Sequence, residues 1–127
     1  MEEPGRPGKV PLNAHEIQHI SSILRAIAHT KRIEILNVLS LRSTDYTTLL
    51  RRSRTGRTAL ATHLASLTKE RLIRRTSRGR YEFTQDGYRY LQSIIDAYSK
   101  SQTRIELEPA RVATQYYEDL LEMVKTT

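Results

Sequence analysis

The apolar pattern of residues 45–83 changes its period part-way along, and this change restricts the fold more than any other feature. Leu60, Leu64 and Leu67 recur at helical spacing, which predicts one buried face of a helix over residues 57–70. A shorter helix over residues 45–52 comes before it, and residues 53–56 provide the turn between the two. Two helices joined by such a short turn predict a helix-turn-helix motif.

A different period follows at once. Residues 72–84 alternate between apolar and polar side chains on both sides of Ser77, Arg78 and Gly79, which predicts a two-stranded β-hairpin with a basic turn. A hairpin directly after a helix-turn-helix is called a wing. We therefore expect a mainly α fold with a small β-hairpin, a winged helix-turn-helix.

Helices are predicted on both sides of this motif. Asn13 can cap a first helix with the stripe Ile17, Ile20, Leu24 and Ile27, and Thr30 can cap a second that runs to about residue 41. Residues 1–12 are rich in proline and glycine and predict a flexible N-terminal arm. The winged-helix domain is then expected over residues 13–83.

Residues 84–127 predict two C-terminal helices for dimerisation. Thr84 can cap a long helix to about residue 104, and Pro109 can open a last helix at its tolerated first position. Their apolar stripes exceed what a small domain can bury alone, so we expect a homodimer. The predicted interface residues are Tyr88, Leu91, Ile95, Tyr98, Val112, Tyr116, Leu120 and Met123. The tyrosines at positions 88, 98, 116 and 117 could instead line a pocket for an unidentified effector, although helical spacing favours an interface.

Positive charge is concentrated around the helix-turn-helix. Residues 51–80 contain ten Lys and Arg and one acid, Glu70, whereas the whole chain has a formal net charge of +7. A focused basic surface of this kind favours a polyanionic partner, and double-stranded DNA is the simplest. A solvated face without a partner is the alternative, and it is disfavoured beside this motif.

The position of each residue in the motif suggests its role on DNA. Arg57, Thr58, Ala61 and Thr62 lie away from the leucine face, and we expect them at base edges in the major groove. Arg51, Arg52 and Arg54 precede that helix and are expected to contact phosphates. The arginines of the hairpin are expected at the flanking minor groove or backbone; these are Arg75, Arg78 and Arg80.

Other classes of protein are disfavoured. The chain has no cysteine, which excludes disulfides and thiolate metal sites, and no apolar run long enough to cross a membrane. We expect a cytoplasmic protein that has no cofactor and is not an enzyme. His15–Glu16–Ile17–Gln18–His19 matches the H-E-x-x-H pattern of zinc hydrolases, but its extended form fails at Ser22 and Arg25. Two exposed histidines are the simpler interpretation, with a noncatalytic metal site through His15 and His19 as the alternative.

Three segments resemble winged-helix repressors of the ArsR type. Residues 60–73, LATHLASLTKERLI, are similar to the signature of their recognition helix, and residues 24–36, LRAIAHTKRIEIL, are similar to the segment that precedes it. Residues 81–87, YEFTQDG, are similar to the piece after the wing in ArsR-like and MarR-like proteins. The chain departs from the pattern at Arg71, where glycine is usual, and at Thr30, where proline is common. The C-terminal helices resemble MarR-like dimerisation helices by position and period.

The resemblance implies a homodimeric, sequence-specific DNA-binding transcriptional regulator. The helix over residues 57–70 would then enter the major groove, with the wing over residues 73–83 beside it. A winged-helix module that binds a protein partner is the alternative. The operator, the regulated genes and the direction of regulation are not encoded in any recognisable pattern.

Overall fold

The computed structural model describes residues 11–126, and for residues 108–110 and 126 it describes the backbone only. Within these residues it contains six helices and three short strands. The elements in chain order are α1 (Ala14–Ile27), α2 (Thr30–Leu39), β1 (Thr44–Asp45), α3 (Tyr46–Ser53), α4 (Arg57–Lys69), β2 (Ile73–Arg75), β3 (Arg80–Phe83), α5 (Gln85–Ser99) and α6 (Gln102–Thr126). Most of the predicted arm, residues 1–10, lies outside the described residues.

The side chains of the residues just before α1 and α2 explain where these helices begin. Asn13 and Glu16 form a capping box, in which each side chain accepts a hydrogen bond from the other's backbone N–H. The prediction that Thr30 caps α2 is wrong. His29 is the cap, and its Nδ1 accepts a hydrogen bond from the backbone N–H of Lys31 at 3.1 Å. Thr30 is already the first helical residue, because the His29 ring nitrogen provides the acceptor at the cap.

The sheet is larger than the predicted hairpin. β2 and β3 pair antiparallel, with Ile73 opposite Phe83, and β1 pairs with the other edge of β3 to give the order β1-β3-β2. Thr44 lies opposite Tyr81 in the added strand. The predicted wing is present, and β1 connects its base to the start of α3.

The chain divides into two compact units, the first ending at Tyr88 and the second starting at Arg89. The largest fully buried side chains of the first unit come from α2, α3, α4, β2 and the residue before β2, and are Ile35, Leu36, Leu49, Leu60, Leu67, Leu72 and Ile73. The predicted leucine face of α4 is therefore confirmed. Of the predicted α1 stripe only Ile27 is buried, whereas Ile17, Ile20 and Leu24 are exposed.

Gly87 allows the start of α5 to lie close to the backbone of Leu72, the residue before β2. A Cβ atom at Gly87 would lie 1.9 Å from the carbonyl oxygen of Leu72, so no larger side chain fits there without movement of backbone. Thr84 caps α5 as predicted, since its hydroxyl oxygen accepts a hydrogen bond from the Gly87 N–H at 3.0 Å. The same hydroxyl lies 2.6 Å from the carbonyl oxygen of Arg71 and donates to it. These contacts explain the Thr-x-x-Gly spacing of residues 84–87.

The predicted boundary between the last two helices is wrong. α5 ends at Ser99 rather than near residue 104, and α6 starts at Gln102, so that Pro109 lies inside α6 rather than at its first position. Ser101 provides the physical reason, because its hydroxyl oxygen accepts a hydrogen bond from the Arg104 N–H at 3.1 Å. A serine cap of this kind starts a helix without proline.

Candidate nucleic-acid interface

The turn between α3 and α4 is built from residues with special backbone geometry. Arg54 ends α3 in the left-handed conformation, with φ of 52°, and Gly56 precedes α4 in an extended conformation. The Tyr46 hydroxyl donates a hydrogen bond to the carbonyl oxygen of Arg57 at 3.2 Å, which ties the start of α4 to the start of α3. The first turn of α4 is therefore held in place by α3.

The exposed face of α4 contains all four residues predicted to contact bases. Arg57, Thr58, Ala61 and Thr62 are exposed, while Leu60 and Leu64 are buried behind them. The Thr62 hydroxyl donates a hydrogen bond to the carbonyl oxygen of Thr58 at 3.0 Å. Thr62 can therefore offer a methyl group and an acceptor oxygen to a partner, while its donor is used within the helix. No acidic residue occurs in the first turn of α4, so the positive end of the helix dipole adds to the charge of Arg57.

His63 lies on the inner side of α4 and connects that helix to the α1–α2 junction. Its ring is buried, packs 4.5 Å from the His29 ring between centroids, and accepts a hydrogen bond at Nδ1 from Arg32 Nε at 3.0 Å. Arg32 also donates to the carbonyl oxygen of Ala26 at 3.2 Å. Burial, followed by the neighbouring His29 and Arg32, lowers the pKa of His63 below its ordinary value. A neutral His63 thus fixes the orientation of α4.

The hairpin presents a basic turn as predicted, although its arginines differ in their surroundings. Arg75 and Arg78 are exposed, and Gly79 closes the turn with a φ of 73°. Arg80 is half-buried and points to the loop before β1, donating to the Ser43 hydroxyl at 3.1 Å and to the Ser43 carbonyl at 2.8 Å. Arg74 forms a salt bridge of 2.7 Å with Glu82 on the neighbouring strand. The accessible charge of the wing is therefore concentrated at Arg75 and Arg78.

Four exposed arginines of α3, of its C-terminal end and of the loop before β1 form no salt bridge in the described part of the chain. They are Arg42, Arg51, Arg52 and Arg54. Arg42 was missed by the sequence analysis because it lies outside the basic run of residues 51–80. Arg42 directly precedes Ser43, and Arg80 of β3 donates a hydrogen bond to the Ser43 carbonyl oxygen. Arg42 therefore lies on the same surface as Arg51 and Arg52.

The structural comparisons agree with this geometry. NolR from Sinorhizobium fredii superposes with a TM-score of 0.60 at 23% sequence identity, covering 73% of this chain and 100% of that one. A homodimeric winged helix-turn-helix DNA-binding domain from Mycobacterium bovis gives a TM-score of 0.56 at 19% identity, covering 75% and 94%. This chain has the winged-helix fold. An ArsR-like transcriptional regulator from Rhodococcus matches at a TM-score of 0.53 and 20% identity, covering 90% and 97%.

These matches confirm at the level of the fold the resemblance to ArsR-like winged helices. No protein-family model matches the sequence, and no curated protein sequence matches it significantly. Within the winged helix, α3 and α4 form the helix-turn-helix, α4 occupies the position of the recognition helix, and β2 and β3 form the wing.

The residues considered for metal binding lie on one helix. His15 and His19 are both exposed on α1. Across the described part of the chain, no three His, Cys, Asp or Glu side chains lie close enough to share a metal ion. Likewise, no helix among residues 11–126 is both long enough and apolar enough to span a membrane.

Proposed function

We propose that this protein binds double-stranded DNA sequence-specifically and regulates transcription as a homodimer in the cytoplasm. The observation that carries the proposal is the exposed face of α4, which is small and polar, begins with Arg57 and lies next to exposed arginines that form no salt bridge in the described part of the chain. A face of small residues permits close approach to base pairs, and the surrounding cations match the regular charge of the phosphate backbone.

Within this proposal α4 contacts the bases. Arg57 donates two hydrogen bonds to the edge of a guanine, and Thr58, Ala61 and Thr62 lie along the groove beside it. Because the Thr62 donor is occupied by Thr58, Thr62 contributes its methyl group, which suits a thymine. Specificity therefore depends most on Arg57.

The remaining arginines contact the backbone. Arg51, Arg52 and Arg54 bind phosphates beside the major groove, and Arg75 and Arg78 extend from the wing to the flanking minor groove or phosphates. Arg80 remains a predicted DNA contact, but its two hydrogen bonds to Ser43 support a position beside β1 rather than at the end of the wing.

Exposed apolar side chains support the homodimer. Seven of the eight predicted interface residues are exposed in the single chain, for example Ile95 at 47% and Tyr116 at 63%, whereas Leu91 is 6% exposed and belongs to the interior. Ile17, Ile20 and Leu24 add an apolar surface on α1. A second copy of the chain would remove such surfaces from water, at about 25 cal/mol per Å² buried. Two α4 helices would then reach successive major grooves.

Substitution of Arg57 tests the DNA contact. Arg57→Ala should weaken binding to the preferred duplex by about 1–3 kcal/mol, roughly 5- to 150-fold, and relax the preference at one base pair. Arg89→Ala removes the same charge from an exposed position on α5 and is the control. Fluorescence anisotropy at fixed salt measures both. Equal affinities for the two variants would exclude Arg57 from the interface.

The salt dependence tests the backbone contacts. Arg78→Ala should reduce the slope of log affinity against log salt by about one unit, because one phosphate contact is lost. A wild-type affinity for duplex DNA that hardly changes with salt would contradict the proposal, and would favour a winged-helix module that binds protein.

The dimer is tested on α5. Ile95→Glu should shift the protein towards monomer in sedimentation velocity, because a charge in an apolar interface costs several kcal/mol unless it is paired. Ser93→Glu introduces the same charge at another exposed position of α5. A monomeric wild type, or equal effects of the two variants, would contradict the proposed interface.

A further inference from the structure

Arginines from three separate parts of the chain meet around one cavity. The cavity has a volume of about 270 Å³ and lies among the end of α2, β1, α3 and the start of β3. Its polar lining includes Arg42, Ser43, Thr48, Arg51, Arg52 and Arg80, and we call it the arginine pocket. Arg42 and Arg80 are far from α3 in sequence, so the fold brings these four arginines to the same cavity.

Arg80 is held in position at this pocket. Its Nε and Nη2 atoms donate to the hydroxyl and carbonyl oxygens of Ser43, at 3.1 and 2.8 Å. A guanidinium group has five N–H donors, so about three remain for another partner. A side chain already fixed by its neighbours loses less conformational freedom when it binds a ligand. Arg80 is therefore a preorganised donor in the wall of the pocket.

The positive charge of the pocket is poorly compensated. Asp45 is the nearby acid, and its carboxylate accepts a hydrogen bond from the Thr48 backbone N–H at 2.7 Å. Hydrogen bonds from Thr48, and then Arg80 and Arg51, lower the pKa of Asp45, so that it is ionised at neutral pH. This carboxylate interacts with two of the four arginines, Arg80 and Arg51, so the positive charges outnumber it and the like charges repel one another. An anion with several acceptor oxygens would relieve that repulsion.

We propose that the arginine pocket binds a phosphate group. All four cations are arginines, whose planar forks match phosphate oxygens in bidentate hydrogen bonds better than lysine does. The Ser43 and Thr48 hydroxyls lie beside them as additional polar groups. The phosphate belongs either to a free phosphorylated compound or to the DNA backbone. Binding of a free phosphate does not require that the proposed DNA binding be correct.

Titration with inorganic phosphate tests the pocket in the absence of DNA. We expect phosphate to raise the melting temperature of the full chain saturably, relative to chloride at equal ionic strength. The apparent affinity should fall at least about tenfold in Arg42→Gln and in Arg52→Gln, because each loses a charged, bidentate donor. Arg89→Gln is the charge-matched control and should behave as wild type. Circular dichroism without phosphate establishes that each variant is folded.

Two results would overturn the proposal. The first is a wild type that responds to phosphate no more than to chloride. The second is an equal response in wild type, Arg42→Gln and Arg89→Gln, which would indicate general charge screening. Two pocket variants are used so that poor folding of one leaves the other decisive. Because DNA is absent, neither result affects the proposed function.

A second arm distinguishes the two sources of phosphate. If the pocket holds a DNA phosphate, inorganic phosphate and duplex DNA compete, and Arg42→Gln reduces the salt slope of DNA binding by about one unit. If the pocket serves a free phosphorylated compound, phosphate still binds the protein–DNA complex and Arg42→Gln leaves the slope unchanged. Arg42 is the informative position because it lies outside the arginines assigned to DNA.

Discussion

Gly87→Ala should destabilise the protein strongly although it adds only one methyl group. The new Cβ would lie 1.9 Å from the Leu72 carbonyl oxygen, 2.7 Å from the carbonyl carbon and 2.9 Å from its Cα atom. All three neighbours are backbone atoms, so no side-chain rotation relieves the overlap. The backbone at Gly87 would have to move away from Leu72 by about an ångström, which would stretch the 3.1 Å hydrogen bond from the Thr84 N–H to the Leu72 carbonyl oxygen.

The expected cost follows from these distances. Overpacking of this kind costs about 1–3 kcal/mol, and a weakened backbone hydrogen bond adds about 1 kcal/mol. The better helix propensity of alanine offsets up to about 1 kcal/mol. We therefore expect a loss of about 1–4 kcal/mol in the free energy of unfolding, or roughly 3–16 °C in melting temperature for a chain of this size.

Gly56→Ala is the matched control for this measurement. A Cβ at Gly56 meets nothing within 4 Å, and this residue already has a negative φ of −74°. The same chemical change should therefore cost less than about 1 kcal/mol, mainly because alanine is a poor N-cap. Urea denaturation of wild type and both variants gives the comparison. If Gly87→Ala were as stable as Gly56→Ala, the close contact between α5 and Leu72 would be refuted.

Three further predictions concern single residues. Arg71 has a φ of 59°, so Arg71→Gly should raise the free energy of unfolding by up to about 1 kcal/mol in urea denaturation; a loss would contradict backbone strain there. Asn13→Ala should lower it by about 1 kcal/mol, because the capping box is lost, and no change would contradict that cap. The pKa of His63 is lower in the folded state than its ordinary value of 6.5. The neutral His63 side chain therefore contributes to the free energy of unfolding above pH 6.5, and this contribution is lost as the pH falls through the lowered pKa. Stability should thus fall more between about pH 7.5 and 5 in wild type than in His63→Gln, which cannot titrate; parallel pH profiles would contradict this.

The sequence predicted those elements whose side chains have a clear period. Leu60, Leu64 and Leu67 identified α4 and its buried face, and the alternation around residues 77–79 identified β2 and β3. β1 was missed because two residues, Thr44 and Asp45, are too few to show a period and are held by pairing with β3. The start of α6 was predicted wrongly because Pro109 was expected to be its first residue. Ser101 caps this helix instead, and a single serine is a weaker sequence pattern than proline.

The candidate interface was predictable only in part. The basic run of residues 51–80 identified the charged surface, and helical spacing identified the exposed side of α4. The surroundings of Arg80 and the approach of Arg42 to α3 depend on how the loop before β1 folds against β3, which no local pattern encodes. Likewise, the hydrogen bond from Arg32 to His63 joins residues on different helices. Contacts between distant segments are decided by packing, so they became visible only in the structure.

Selection of duplexes from a random pool, at a stated salt concentration, tests the proposed function most directly. We expect enrichment of one palindromic sequence with half-sites about one helical turn apart, centre to centre, because a two-fold dimer would place two α4 helices in successive major grooves. Repeating the selection with Arg57→Ala should remove the preference at one base pair in each half-site and leave the spacing unchanged. A wild-type pool without any enriched sequence, or with enrichment that is the same for Arg57→Ala, would contradict sequence-specific binding through α4.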